Sequence, residues 1–278
     1  MTYREAYTFG CEQLTKNHIK EATLDARLLL EFICHTNRND LLVYGDREIT
    51  PEQESFYREY IDRRCTGEPL QYITGEQDFM GLTFQTDRST LIPRQDTETL
   101  VEEVLPHVHD GMDILDLCTG SGCILLSLLK YSNYCKGTGC DINEDAIALA
   151  KRNADSLGLE ATFLVSDLFR EIEGKFDIIV SNPPYIETEV IDTLDNVVKE
   201  YEPHRALDGG ADGLDFYRII IKEAKNYLRR GGKLFFEIGY NQGEQVSSLL
   251  EEEGYRDIEV RKDLAGLNRV VYATFTEV

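Results

Sequence analysis

The chain has 278 residues, enough for one sizeable core and a small accessory domain. Its 51 acidic and 29 basic residues leave a net charge of −22, which disfavours a nucleic-acid partner over most of the surface and also serves plain solubility. Seven cysteines without CxxC spacing or a zinc-like set of neighbours point to reduced thiols and no metal. No apolar run of signal-peptide or membrane-spanning length occurs, so the expectation is a cytoplasmic protein with no membrane partner.

The first 65 or so residues read as short amphipathic helices, with Leu24, Leu28, Leu29, Phe32 and Ile33 at helical spacing. Thr50-Pro51-Glu52-Gln53 predicts a helix start, Thr50 capping, Pro51 first and Gln53 closing a capping box, and the helix should run to about Cys65. From Gln71 to Leu91 the pattern turns to short β-prone pieces broken by Gly75 and Gly81, which suits a linking hairpin. The domain division expected is 1–70 helical, 71–90 hairpin linker and 91–278 main domain. Beyond Gly111, strand and helix signals alternate as in a parallel sheet covered on both faces. Met112–Leu117, Gly137–Asp141, Ala161–Val165, Phe176–Ser181 and Lys233–Ile238 are the predicted strands. Cys123–Tyr131, Glu144–Leu157, Leu214–Leu228 and Gln242–Glu253 are the predicted helices, and Arg256–Arg261 with Arg269–Phe275 a closing antiparallel pair. The fold class is therefore α/β, a doubly wound Rossmann-like domain with a small helical N-terminal domain.

Two segments carry chemistry. Asp116-Leu117-Cys118-Thr119-Gly120-Ser121-Gly122 runs from a strand into a glycine turn, which lets backbone approach a ligand, although such turns also serve plain strand-to-helix connections. Asp141 ends the next strand about 20 residues on, where a carboxylate can take both hydroxyls of a ribose. Leu125 stands where a dinucleotide fingerprint needs its third glycine, and no P-loop lysine is present. A nucleoside cofactor without a pyrophosphate fits better, and S-adenosylmethionine leads.

The second segment, Ser181-Asn182-Pro183-Pro184-Tyr185, follows a strand and should face the same crevice. An amide nitrogen is a poor nucleophile, and acceptors around its NH2 are needed to hold its lone pair toward a methyl donor. Asn182 offers its side-chain oxygen, Pro183 a carbonyl on a stiff backbone, and Tyr185 a flat face; a rigid turn is the plainer alternative. Asp167 can meet an adenine amino group or cap a helix. His107 and His109 lack a third ligand and read as a solvated pair.

With these residues the chain resembles the HemK/PrmC family, the N5-glutamine methyltransferases of peptide chain release factors. The matching segments are Pro69–Gly75, Leu91–Glu98, Asp116–Gly122, Asn182–Tyr185, Tyr201–Leu207, Gly213–Tyr217 and Lys262–Arg269. Gln95 replaces a frequent proline, and Leu168 replaces an aromatic that some members place on the adenine. The resemblance implies a class I methyltransferase domain in which Cys118, Thr119, Gly120, Ser121, Gly122, Asp141, Asp167, Leu168 and Asn182 bind S-adenosylmethionine. It implies that Asn182, Pro183, Pro184 and Tyr185 receive the glutamine of a Gly-Gly-Gln motif in class 1 release factors, the helical domain gripping that protein. The alternative is an N6-adenine methyltransferase acting on DNA or RNA, which uses the same tetrapeptide but needs a basic groove. The first 84 residues hold nine Lys/Arg against fifteen Asp/Glu.

Overall fold

The computed structural model describes residues 1–276, apart from the side chains of residues 196 and 197. The chain packs as two units, Met1–Glu76 with Asp195–Tyr201, and Gln77–Leu194 with the chain from Glu202 onward.

In the first unit, α1 (Tyr3–Lys16), α2 (Ala22–Cys34), α3 (Arg38–Val43), α4 (Pro51–Cys65) and α5 (Leu70–Thr74) gather around Leu14, Leu29, Leu30, Tyr57 and Ile61, all fully buried. The start of α4 is the predicted capping box: Gln53 N–H donates to the Thr50 hydroxyl at 3.1 Å, and Thr50 N–H to Gln53 Oε1 at 2.9 Å. Thr2 and Glu5 repeat the device at α1. The Tyr57 hydroxyl donates to the Ala26 carbonyl at 3.0 Å, and Gly10 leaves it room, because a Cβ there would stand 2.1 Å from that oxygen. Gln71–Thr74 is helical, contrary to the β-prone pattern. Pro69 fixes the entry, Gly75 at φ 77° stops the turn, and Tyr72 and Ile73 are buried.

The second unit opens with a hairpin, β1 (Glu76–Phe79) and β2 (Leu82–Gln85), whose turn residues Met80 and Gly81 both have positive φ, as a two-residue turn between twisted strands requires. Then come α6 (Gln95–Val104), β3 (Asp113–Leu117), α7 (Cys123–Lys130), β4 (Lys136–Asp141), α8 (Glu144–Leu157), β5 (Thr162–Val165), β6 (Phe176–Ser181) and α9 (Thr188–Ile191). After α10 (Asn196–Tyr201), which counts with the helical unit, follow α11 (Asp215–Ala224), β7 (Leu228–Glu237), α12 (Gly243–Glu252), β8 (Arg256–Lys262) and β9 (Asn268–Thr274). The strands form one seven-stranded sheet in the order β5-β4-β3-β6-β7-β9-β8, all parallel except β9, which runs antiparallel to both its neighbours.

Successive residues face opposite sides. Leu115, Ile179, Leu234 and Phe236 pack with α11 and α12, while Ile114, Ile178 and Phe235 pack with α6, α7 and α8. The predicted helix over Leu214–Leu228 ends at Ala224. Leu228 instead starts β7 level with Phe176, where it is buried. Helix α6 was not among the predicted elements.

Candidate functional site

The strand order reverses between β3 and β6, and such a switch point leaves a crevice at the strands' carboxyl ends. Leu117 of β3 is level with Ser181 of β6, and the Ser181 hydroxyl donates to the Leu117 carbonyl at 2.7 Å. The Cys118–Gly122 turn and Asn182–Tyr185 therefore leave the sheet side by side. Gly120 and Gly122 have φ of 53° and 80°, and Cys118 takes φ 58°, which is uncommon for a residue with a Cβ and clusters at functional turns.

The turn is tied to the end of β4, where Gly120 N–H donates to Asp141 Oδ2 at 3.0 Å and Asn143 N–H to Oδ1 at 2.9 Å. Each carboxylate oxygen keeps a lone pair, so the group fits the two hydroxyls of a ribose. Burial raises the Asp141 carboxyl above the usual range, opposed by the N–H groups of Asn143, Gly120 and Ile142. Beneath the turn, Asp116 is wholly buried and accepts from the Thr119 hydroxyl at 2.6 Å. Burial pushes its carboxyl up to about 7 against the pull of that hydroxyl.

After β5, Asp167 is exposed while Leu168, at φ 49°, packs its side chain into the core beside Leu117 and Cys140. No helix follows Asp167 for it to cap; the segment is a turn, held by Ser166, whose hydroxyl accepts from Glu171 N–H at 3.0 Å and donates to the Leu168 carbonyl at 2.7 Å.

Pro183 and Pro184 are buried, Asn182 and Tyr185 partly so. Glycines press on the backbone that follows. A Cβ on Gly209 would stand 2.7 Å from Tyr185 Cα and 2.8 Å from the Pro184 carbonyl oxygen, and one on Gly213 2.4 Å from the Tyr185 carbonyl oxygen. That carbonyl accepts from Gln242 Nε2 at 2.9 Å. Below the tetrapeptide, the Tyr185 hydroxyl donates to Glu237 Oε1 and Asn182 Nδ2 to the Thr97 hydroxyl, each at 3.4 Å. Burial pushes the Glu237 carboxyl up to about 7, and the Thr97 hydroxyl and Arg269 draw it back. Gly209, Gln242 and Glu237 are site neighbours that no short motif marks, although the Gly209-Gly210 run is a visible signal; Thr97 and Gly213 lie within the matching segments Leu91–Glu98 and Gly213–Tyr217 but were given no role there.

Distant segments converge on the same place. Arg94 pairs with buried Glu202, and Arg269 bridges Asp96 at 3.0 Å and Asp263 at 3.1 Å. His107 is half-buried and not freely solvated: its ring packs 5.5 Å from that of Phe235 and 5.3 Å from that of Tyr272, and burial lowers its pKa. Among the described residues no group of three or more His, Cys, Asp or Glu is placed to hold a metal, and no helix is long and apolar enough to cross a membrane.

Residues 5–75 match the PrmC N-terminal domain and residues 95–210 the methyltransferase small domain. A methyltransferase from Pyrococcus furiosus superposes with a TM-score of 0.54 at 20% identity over 71% of this chain and 90% of its own, which shows the fold. A release factor glutamine methyltransferase of Geobacter sulfurreducens is 41% identical over 97% of this chain and 95% of its own length. One of Clostridium acetobutylicum is 43% identical over 90% of each. With identity at this level spread across both units, the chain belongs to the release factor glutamine methyltransferase family.

Proposed function

We propose that this enzyme transfers a methyl group from S-adenosylmethionine to the side-chain amide nitrogen, N5, of the glutamine in the Gly-Gly-Gln motif of class 1 peptide chain release factors. The observation that carries this reading is the pairing of Leu117 with Ser181, which sets the glycine turn of β3 beside Asn182–Tyr185 at the switch point.

Cys118, Thr119, Gly120, Ser121, Gly122 and Asp141 hold the nucleoside, Asp141 through the ribose, with Asp167 and Leu168 at the adenine end. S-adenosylmethionine, when bound, supplies a methyl group already activated on a sulfonium. Asn182, through its side-chain oxygen, and Pro183, through its carbonyl, accept from the glutamine NH2 and hold its lone pair in line, and Pro184 and Tyr185 confine the amide plane. Most of the rate then comes from positioning, and no metal is required. The helical unit is assigned the grip on the release factor, a protein acting in the cytoplasm, and the net charge of −22 favours a protein substrate over a polyanion.

Mass spectrometry of release factor incubated with enzyme and cofactor tests this. One methyl on the Gly-Gly-Gln peptide is the expected result. Label from the cofactor on adenine-containing oligonucleotides, with none on the glutamine, would replace the reading with a nucleic-acid methyltransferase.

A further inference from the structure

Helix α8 buries an asparagine in its interior. Asn153 is 1% exposed, although alanine or leucine would suit the middle of a helix better, because a short amide competes for backbone hydrogen bonds. Its amide is engaged on backbone outside the helix. Oδ1 accepts from Gln85 N–H at 2.7 Å, and Nδ2 donates to the Gln85 carbonyl at 3.2 Å and to the Ser121 carbonyl at 2.9 Å. The oxygen and both N–H groups are thereby used, so the amide has one orientation. Gln85 ends β2 of the hairpin, and Ser121 lies in the glycine turn after β3. A second asparagine repeats the tie at the other end of α8: Asn143, its N-cap, donates through Nδ2 to the Ser89 carbonyl at 2.9 Å. Residues 85–90 are thus stapled to α8 beside the turn, and Thr90 Cβ lies 3.8 Å from where a Cβ on Gly120 would stand.

We propose that Asn153 is a positioning residue for S-adenosylmethionine, fixing the direction of the Ser121 carbonyl and with it the shape of the cofactor turn, and that the hairpin is a buttress of that turn. The inference rests on residues 118–122 holding the cofactor, as proposed above. The turn has little of its own to hold it. Glycines stand on either side of Ser121, at φ 53° and 80°, and glycine lets a peptide plane turn over at small cost. Within the turn, Gly122 N–H donates to the Thr119 carbonyl at 2.8 Å. The carbonyl on the same trans peptide plane, that of Ser121, points the opposite way, to Asn153. Without the amide it is a buried acceptor lacking a partner, and relief lies in turning toward water. Rotating that plane breaks the Gly122–Thr119 bond and changes the backbone that the cofactor meets, so binding must first reverse it. Acting through the backbone of Ser121, Asn153 governs affinity and leaves the transfer step alone.

The test uses full-length enzyme and S-adenosylmethionine, with the variants N153A and N153L. Alanine suits the helix and leaves space for water, whereas leucine fills the volume of asparagine and keeps water out. Each should weaken S-adenosylmethionine binding roughly tenfold in titration calorimetry, the cost of one bare acceptor carried into binding, and N153L should lose at least as much as N153A. With cofactor at saturation, kcat on a short Gly-Gly-Gln peptide and the peptide KM should both stay within about twofold. Y255F is the control for stability alone. It removes a buried hydroxyl that donates to the Ile221 carbonyl of α11 at 2.9 Å, and should lower Tm while leaving the cofactor Kd at the wild-type value. A wild-type Kd in both Asn153 variants would overturn the inference, as would a Y255F that loses as much affinity as they do. A saturated kcat that falls as far as affinity would overturn it too, by moving Asn153 to the transfer step. A wild-type enzyme that binds no S-adenosylmethionine removes the proposed function and this inference with it. Wild-type binding with unaffected Asn153 variants removes the inference alone.

Discussion

Asn182 and Asp141 divide the work of the site between substrate and cofactor, and their substitutions should separate cleanly. Asn182→Ala deletes an acceptor at the reacting nitrogen, so kcat should fall on the order of 100-fold or more. Cofactor affinity, measured by titration calorimetry, should fall less than in Asp141→Ala: Asn182 also touches the cofactor by resemblance, but the Gly120–Asp141 tie stays in place. Asp141→Ala deletes charge-assisted bonds worth roughly 1.5–3 kcal/mol, and should weaken cofactor binding about tenfold or more. An unchanged Kd would place the nucleoside elsewhere. Both residues were legible in the sequence because each sits at a strand end within a few positions of a glycine or proline signal. Thr97, although within the matching segment Leu91–Glu98, and Glu237, which bears no motif, were given no role, because they reach Asn182 and Tyr185 across 85 and 52 positions of chain.

At the scale of elements, the tetrapeptide is held from behind by glycines that admit the chain of residues 184–185 at less than side-chain distance. In Gly209→Ala the new Cβ would meet backbone atoms of Pro184 and Tyr185, neither of which has a flexible end to give. Such overpacking costs typically about 1–3 kcal/mol. The strain falls on the residues that orient the amide, so kcat on the peptide should drop at least about tenfold while cofactor Kd stays close to wild type. Equal losses in both would mean that the whole sheet had shifted. Elements whose apolar pattern is uninterrupted were read from sequence to the residue, as Phe176–Ser181 and Glu144–Leu157 show. Helix α6 escaped because its buried Leu100, Val101 and Val104 are dispersed among Asp96, Glu98, Glu102 and Glu103. The start of β7 escaped because Arg229, Arg230, Gly231 and Gly232 hide a strand that is fixed by pairing with β6 and β9.

For the molecule as a whole, burying an acid without a cation couples stability to pH. Asp116 is ordinarily an acid of pKa 3.8, and in the fold burial raises it to about 7. Between those values the folded chain holds a proton that the unfolded chain has released, so stability falls as pH rises through the window. Below it both states are protonated and the slope vanishes; above it the full cost remains. Asp116→Asn keeps an oxygen for the Thr119 hydroxyl and removes the titration. Its Tm should therefore gain on wild type from pH 5 to pH 8 by at least about 3 °C, since one kcal/mol moves the midpoint of a chain this size by roughly 2–4 °C. A constant difference in calorimetric scans would show that the carboxyl does not titrate in the fold.

The antiparallel end of the sheet bears on how copies of the chain behave toward each other. A free outer strand is a template for a second chain. β8 occupies that position, but it carries Arg256, Asp257, Glu259, Arg261 and Lys262, its pairing with β9 slips twice, and Asp257 turns to φ 51°. The opposite edge, β5, is only four residues long. Charge, irregularity and brevity leave neither edge a straight run of backbone donors and acceptors on which a stranger's strand could be copied, so the fold keeps its ladder to itself at both ends.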